Sequence, residues 1–494
     1  MLSLLLAAAT LLNPVIPGSL LVRDGLPVKA PRAVGMSAAR LATIDRVVER
    51  GIKAGGYPGA AVVVGRKGAA VWEKGFGRMG WTADAAHVVP GRTIYDLASL
   101  TKVVGTTTAV MILFDQGKLR LDDEVVRFIP EFAGGGKEQV TIRQLLTHRS
   151  GLPAGRDLWR VAHSADEARA AVIATPLIAA PGQFFEYSDL GADVLAFVVE
   201  AVSGERLDTF LQTRVFAPLG MLDTRFKPDA SLRARIAPTE LTPPRGYPLR
   251  GEVHDENAYA LGGIAGHAGL FGTVTDLSIF AQMLLNGGSY NGRRIVADST
   301  VQLFTRRATG TGTRGLGWDT CAGSYGCGKY MGSEAYGHTG YTGTSLWIDP
   351  DREMFVILLT NRVHAAKARR PAKVISDVRA DLADAASLAV TDAGGLRAMP
   401  RSFRSDRAVG WNEPERAARG RSAARSRSAK SRTAKSAKSA RASRAASAAR
   451  KKSSSKTSAA KSRSASARSA TTTKKKSAPA KTTSSTRKKS SSNR

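Results

Sequence analysis

No aspartate or glutamate follows Glu415, while 26 of the 73 lysines and arginines lie between Arg416 and Arg494. Those last residues are almost wholly Ser, Ala, Thr, Lys and Arg. Such a segment cannot bury enough apolar surface to offset its chain entropy, so any fold must be made before it. The remainder holds 47 basic against 41 acidic residues, so most of the formal +32 belongs to the tail. Residues 30–390 have ordinary globular composition, which excludes a histone-like protein or a wholly disordered chain. The organisation expected is a signal peptide over 1–19, one large domain over 30–390, and a disordered Lys/Arg/Ser/Ala-rich tail over 404–494.

The leader is apolar from Met1 to Leu12 except for Ser3 and Thr10, and Asn13-Pro14 breaks it. It reads as an export signal, with an uncleaved anchor as the alternative. No later stretch has the apolar length of a membrane span. The expected location is periplasmic or extracellular, and a cytoplasmic one is the alternative. Cys321 and Cys327 are the only cysteines. They are placed to close a small disulfide in an oxidising compartment or to remain two free thiols in a loop. Two such ligands without a nearby histidine pair make no zinc shell.

Ser37 to Lys53 repeats apolar residues at helical spacing, and Gly59–Gly65 with Ala69–Trp72 reads as a hairpin around Arg66-Lys67-Gly68. Helical patterns dominate from Leu97 to Phe210. Ser345–Ile348 and Met354–Thr360 then flank the turn Asp349-Pro350-Asp351-Arg352. Strands at both ends around a helical middle imply an α+β fold, an antiparallel sheet flanked by helices with an inserted helical lobe.

Ser99-Leu100-Thr101-Lys102 carries the chemistry. A spacing of three on a helix stacks hydroxyl over amine. A serine attacks an acyl carbon only with a base at hydrogen-bond distance, and a lysine is such a base only where its pKa is lowered. Val103, Val104, Val110, Met111 and Leu113 bury the helix that follows, and its N-terminus favours developing negative charge at Ser99. Ser453–Lys456 and Ser458–Lys461 match the same spacing in the tail but lack an apolar helix. Two further motifs stand downstream, Tyr187-Ser188-Asp189 and His338-Thr339-Gly340.

With Leu145-Leu146-Thr147-His148-Arg149-Ser150-Gly151-Leu152, Pro218-Leu219-Gly220-Met221 and Gly269-Leu270-Phe271-Gly272-Thr273, these motifs resemble the serine β-lactamase and penicillin-binding-protein superfamily. The likeness is to its class C branch of related serine hydrolases, esterases and D-amino-acid peptidases, and covers roughly residues 35–385. It implies that Ser99 is the nucleophile, Lys102 its proton acceptor and Tyr187 the proton shuttle. It also implies that the backbone N–H groups of Ser99 and Tyr341 form an oxyanion hole. Asp189, His338, Thr339 and Gly340 would face the substrate.

Two positions depart from the family pattern. Asp189 replaces the usual asparagine, and its charge would favour the protonated form of Lys102. His338 replaces the lysine of true β-lactamases and weakens the fixed charge for a β-lactam carboxylate. The expected substrates are therefore cell-wall D-amino-acid peptides or small esters, with weak β-lactamase action at most.

No cofactor or metal is called for. His254-Asp255-Glu256 with His267 lacks the H-E-x-x-H spacing and reads as a capped loop. No Gly-Lys-Ser/Thr phosphate loop or G-x-S-x-G elbow is present. The rival expectation is a weakly catalytic binding protein whose basic tail, 416–494, grips an anionic polymer such as an envelope polymer or nucleic acid.

Overall fold

The computed structural model describes residues 25–240, 243–308, 312–322, 324–364, 371–392 and 397–412. The expected leader and the residues from 413 onward lie outside the described residues. No helix among the described residues is long and apolar enough to cross a membrane.

Strands from both ends of the body form one antiparallel sheet of six. Its order is Ala69–Gly77, Gly59–Arg66, Met354–Thr360, Ser345–Asp349, Tyr336–Thr339 and Asp319–Thr320. The central pairing sets Ala60 against Thr360 and Arg66 against Met354. Every residue of Gly59–Arg66 is buried, which explains why the strand reads as a continuous apolar run rather than an alternating one. Ala60, Val62 and Val64 point into a core shared with helices Thr43–Lys53 and Lys373–Leu388. Ala61 and Val63 face the larger core, which contains helices Thr108–Asp115, Asp189–Ser203 and Val274–Leu285. This is the α+β arrangement expected, with the helical lobe filling the middle of the chain.

Two local details differ from the expectation. The first helix is two pieces, Ala38–Leu41 and Thr43–Lys53, with the Ser37 hydroxyl accepting from the Arg40 N–H at the start. The second strand runs on to Gly77, because its whole length pairs with Gly59–Arg66.

The boundary placed at residue 404 falls inside the packed body. Phe403 and Trp411 are buried, and Arg404–Arg407 forms a short helix. Arg404 pairs with Asp381 and Asp384 at 3.0 and 2.6 Å, and the Trp411 indole donates to Asp377 Oδ2 at 2.8 Å. Two isolated aromatic anchors thus hold residues 403–411 against helix Lys373–Leu388, in a stretch whose composition already resembles the tail.

Candidate active site

Ser99 stands in the turn before the helix that begins at Leu100, and the chain continues as a π-helical stretch, Lys102–Thr107, into Thr108–Asp115. The turn is strained: Ala98 has φ +47, a left-handed conformation that a residue with a Cβ adopts only when its surroundings impose it. Those surroundings are visible. Asp96 Oδ1 accepts from the Ala98 N–H at 2.8 Å, and Asp96 Oδ2 accepts from the His254 N–H at 2.7 Å. From the sheet side, the Thr342 and Thr344 hydroxyls donate to the carbonyls of Asp96 and Leu97 at 2.8 and 2.9 Å. The turn that carries Ser99 is therefore fixed from both the helical side and the sheet side.

Lys102 is 4% exposed, and its Nζ lies 3.1 Å from Ser99 Oγ. The same nitrogen donates to the His267 carbonyl at 3.1 Å and forms an ion pair with Asp189 Oδ1 at 2.6 Å. Asp189 opens helix Asp189–Ser203, whose cap is Ser188: its hydroxyl accepts from the Gly191 N–H at 3.1 Å. The residue before the cap is Tyr187, so one helix start delivers both the phenol and the carboxylate. Lys102 Nζ sits 5.0 Å from the centre of the Tyr187 ring.

Burial works against the charge on Lys102, but Asp189 and Tyr187 outweigh it and hold the lysine above its ordinary pKa. A lowered pKa, the condition for a lysine base, is not met in the resting site. The carboxylate of Asp189, expected to face substrate, is engaged with Lys102 instead.

Tyr187 is also bracketed by histidines. The His148 and His338 rings lie 4.6 and 6.0 Å from its ring. Burial, reinforced by Arg314 and Lys102, pushes His148 well below the ordinary histidine range, and the neutral ring accepts the Ser188 N–H at Nδ1, 3.1 Å away. Burial also brings His338 down to about 4. His338 Nδ1 donates to the Thr339 carbonyl at 2.8 Å, and its Nε2 has no hydrogen-bond partner among the described residues. His338 thus presents a neutral acceptor rather than a positive charge.

Ser99 and Tyr341 line one cavity of about 320 Å³, with His254, Asp255, Glu256 and Ala268. Thr339 is half-buried in the strand edge opposite Ser345. Gly340 is packed too tightly for a side chain, since a Cβ would lie 2.6 Å from the Leu97 carbonyl. A second cavity, about 420 Å³, is lined by Arg149, Phe185, Arg314 and Asp319, and the Arg314 guanidinium lies 5.9 Å from the Tyr187 ring. A larger cavity of about 630 Å³, lined by Trp159, Tyr259 and Phe271, contains none of the reacting groups. Of the three cavities, the one of about 320 Å³ is lined by Ser99, and the Lys102 amine lies 3.1 Å from its hydroxyl.

Cys321 and Cys327 are bonded to each other, with Cα atoms 5.7 Å apart. Asp255 caps helix Glu256–Ala260 by accepting from the N–H groups of Asn257 and Ala258. Among the described residues, no group of three His, Cys, Asp or Glu side chains is placed to hold a metal ion. The sequence reading missed Asp96, Arg314 and the pairing of Asp193 with His267. Of these only Asp193 left a trace, four residues after Asp189 and so on the same helix face.

Residues 44–380 match the Beta-lactamase family. The chain is 32% identical over 380 residues to an Escherichia coli K12 protein named "Putative D-alanyl-D-alanine carboxypeptidase", covering 69% of this chain and 87% of the relative. Among solved structures, a penicillin-binding protein homologue from Caulobacter crescentus superposes with a TM-score of 0.56 at 23% identity, covering 71% of this chain and 98% of that one. EstCE1, a hydrolase with promiscuous acyltransferase activity, superposes with a TM-score of 0.53 at 22% identity, covering 71% and 99%. Similarity at that level shows a shared fold. Through the family match and the sequence likeness to the carboxypeptidase-named relative, the chain belongs to the Beta-lactamase family and is a serine hydrolase.

Proposed function

We propose that the protein is an acyl-serine hydrolase of cell-wall D-amino-acid peptides, acting as a D,D-carboxypeptidase. The observation that carries this reading is the 3.1 Å contact between Ser99 Oγ and the amine of a buried lysine. In the forward step Ser99 Oγ attacks the scissile carbonyl, and its proton passes to the Lys102–Tyr187 unit. The N–H groups of Ser99 and Tyr341 receive the oxyanion. The unit returns the proton to the departing amine, and water later cleaves the acyl-enzyme with the same groups as base.

The leaving D-amino acid carries a free carboxylate. The cavity beside Tyr187 offers two guanidiniums, Arg149 and Arg314, against one carboxylate, Asp319. That excess positive charge suits such a leaving group, whereas neutral His338 supplies none. The sequence likeness to the carboxypeptidase-named relative supports the same choice. A cell-wall substrate also requires export, the fate expected of the leader. Incubating the enzyme with diacetyl-Lys-D-Ala-D-Ala should release D-alanine, with slower turnover of a chromogenic cephalosporin. Rapid hydrolysis of a p-nitrophenyl ester without D-alanine release would overturn the peptidase assignment in favour of an esterase.

Asp189 makes a distinctive demand on this mechanism. With Lys102 held as ammonium, the Lys102–Tyr187 unit must lose a proton before it can accept one from Ser99, so acylation should rise with pH. A lone buried ammonium costs several kcal/mol, so removing its counter-charge is relieved by deprotonation. Asp189→Asn should accordingly move the rising limb of the pH profile down by about one to two units, the size of a close-carboxylate effect. A profile superimposable on wild type would show that Asp189 does not set the ionisation of the unit.

A further inference from the structure

We propose that His267 is a positioning residue for Lys102: clamped between Asp193 and Asp255, it fixes the backbone carbonyl to which the lysine amine is anchored. The role rests on the acyl-serine reading above and extends it to a residue that touches no substrate.

The geometry is specific. His267 is 2% exposed, and both its ring nitrogens are engaged, Nδ1 with Asp193 Oδ1 at 2.7 Å and Nε2 with Asp255 Oδ1 at 2.9 Å. A neutral imidazole has one N–H and can donate to only one carboxylate, so satisfying both requires the imidazolium. Burial opposes that charge, and the two carboxylates outweigh it, holding His267 well above the ordinary histidine pKa. Each partner belongs to a different wall of the site. Asp193 lies one turn along the helix that begins with Asp189, and its Oδ1 also accepts from the Gly266 N–H at 3.0 Å. Asp255 lines the cavity that contains Ser99 and caps the helix there. The carbonyl of His267 itself accepts from Lys102 Nζ at 3.1 Å.

One cationic ring therefore ties the helix that supplies Asp189 to the cavity wall, and its own backbone anchors the amine between them. Lys102 is held by three acceptors, Ser99 Oγ, Asp189 and this carbonyl, and the segment that carries the carbonyl is held by the His267 ring together with Gly266, whose carbonyl accepts from Thr106 Oγ1 at 2.6 Å. A buried ion triad of this kind is poor stability value compared with apolar packing, so its presence beside the reacting amine calls for another explanation. Placement of Lys102 supplies one.

The charged groups around the ring are Asp193, Asp255, Lys102, Asp189 and His254. Replacing His267 by glutamine keeps hydrogen-bonding capacity but removes the positive charge, leaving two carboxylates to favour the ammonium form of Lys102. The test is the rate of Ser99 acylation by p-nitrophenyl acetate from pH 6 to 10, with the full chain. His267→Gln should move the rising limb upward by on the order of one unit. Lys102 titrates above this window, so acylation should be about tenfold slower throughout it while still rising with pH. A purely structural residue would slow acylation in both His267→Gln and Asp255→Asn, whereas the change of charge slows the first and speeds the second; slowing in both, or an unmoved rate in both, would overturn the role.

Asp255→Asn is the companion variant if the glutamine protein does not fold, because Asp255 is a third exposed and His267 keeps Asp193. It removes a negative charge, so its limb should move downward, and an unmoved limb would again overturn the proposal. A wild-type enzyme that forms no Ser99 adduct would overturn the acyl-serine reading itself. Normal wild-type acylation with unmoved variant profiles would remove only the role of His267.

Discussion

Ser99→Ala should lose turnover of peptide and ester substrates by about three to six orders of magnitude, the range seen when a catalytic nucleophile is removed. The loss should fall on kcat and kcat/KM together, because the hydroxyl is needed for bond making and contributes little to ground-state binding. Incubation of the wild type with a penicillin should add one acyl group by intact mass, located at Ser99 by peptide mapping. The alanine protein should stay at its native mass while melting at a similar temperature, since Ser99 is only half-buried and its turn is held by Asp96, Thr342 and Thr344. An adduct that persists in the alanine variant would place the nucleophile elsewhere.

Nearly as large an effect is expected at Lys102 and Tyr187, and its pattern matters more than its size. Lys102→Ala and Tyr187→Phe should each cost about 10³-fold or more in acylation, and the double variant little beyond the worse of the two. The reason is proximity: with the amine 5.0 Å from the ring centre, both groups lie on one proton path to Ser99, and losing either breaks it. Either loss disables the pair. A double-mutant cycle of single-turnover acylation measures this directly, and multiplicative losses would mean that the two groups act in separate steps.

The expected reacting groups came from short-range spacing. Ser99 and Lys102 are three residues apart, Tyr187 and Asp189 flank a helix cap, and His338 begins a strand-edge motif. The sheet was readable because its apolar strands lie at the two ends of the body. What the spacing could not show was which charges meet. Asp189 was flagged as a perturbation of Lys102, yet only the fold reveals a 2.6 Å ion pair. Asp193, Asp255 and His267 are separated by up to 74 residues, and no local pattern marks them as partners. The π-helical stretch after Ser99 was likewise hidden, because it arises from packing rather than composition. Residues 404–411 were assigned to the tail because Trp411 reveals its burial only against helix Lys373–Leu388.

The pairing of Ala60 with Thr360 has a consequence for how the protein is made. These partners are 300 positions apart, which at 5–20 residues per second is a wait of about 15–60 s during synthesis. Through that interval the stretch from Ala60 to Val64, apolar on both faces, has its hairpin neighbour Ala69–Gly77 but lacks its other strand. Closing the sheet therefore depends on a pairing of high sequence separation, the kind of contact that slows folding and leaves an apolar strand edge open to aggregation until it forms.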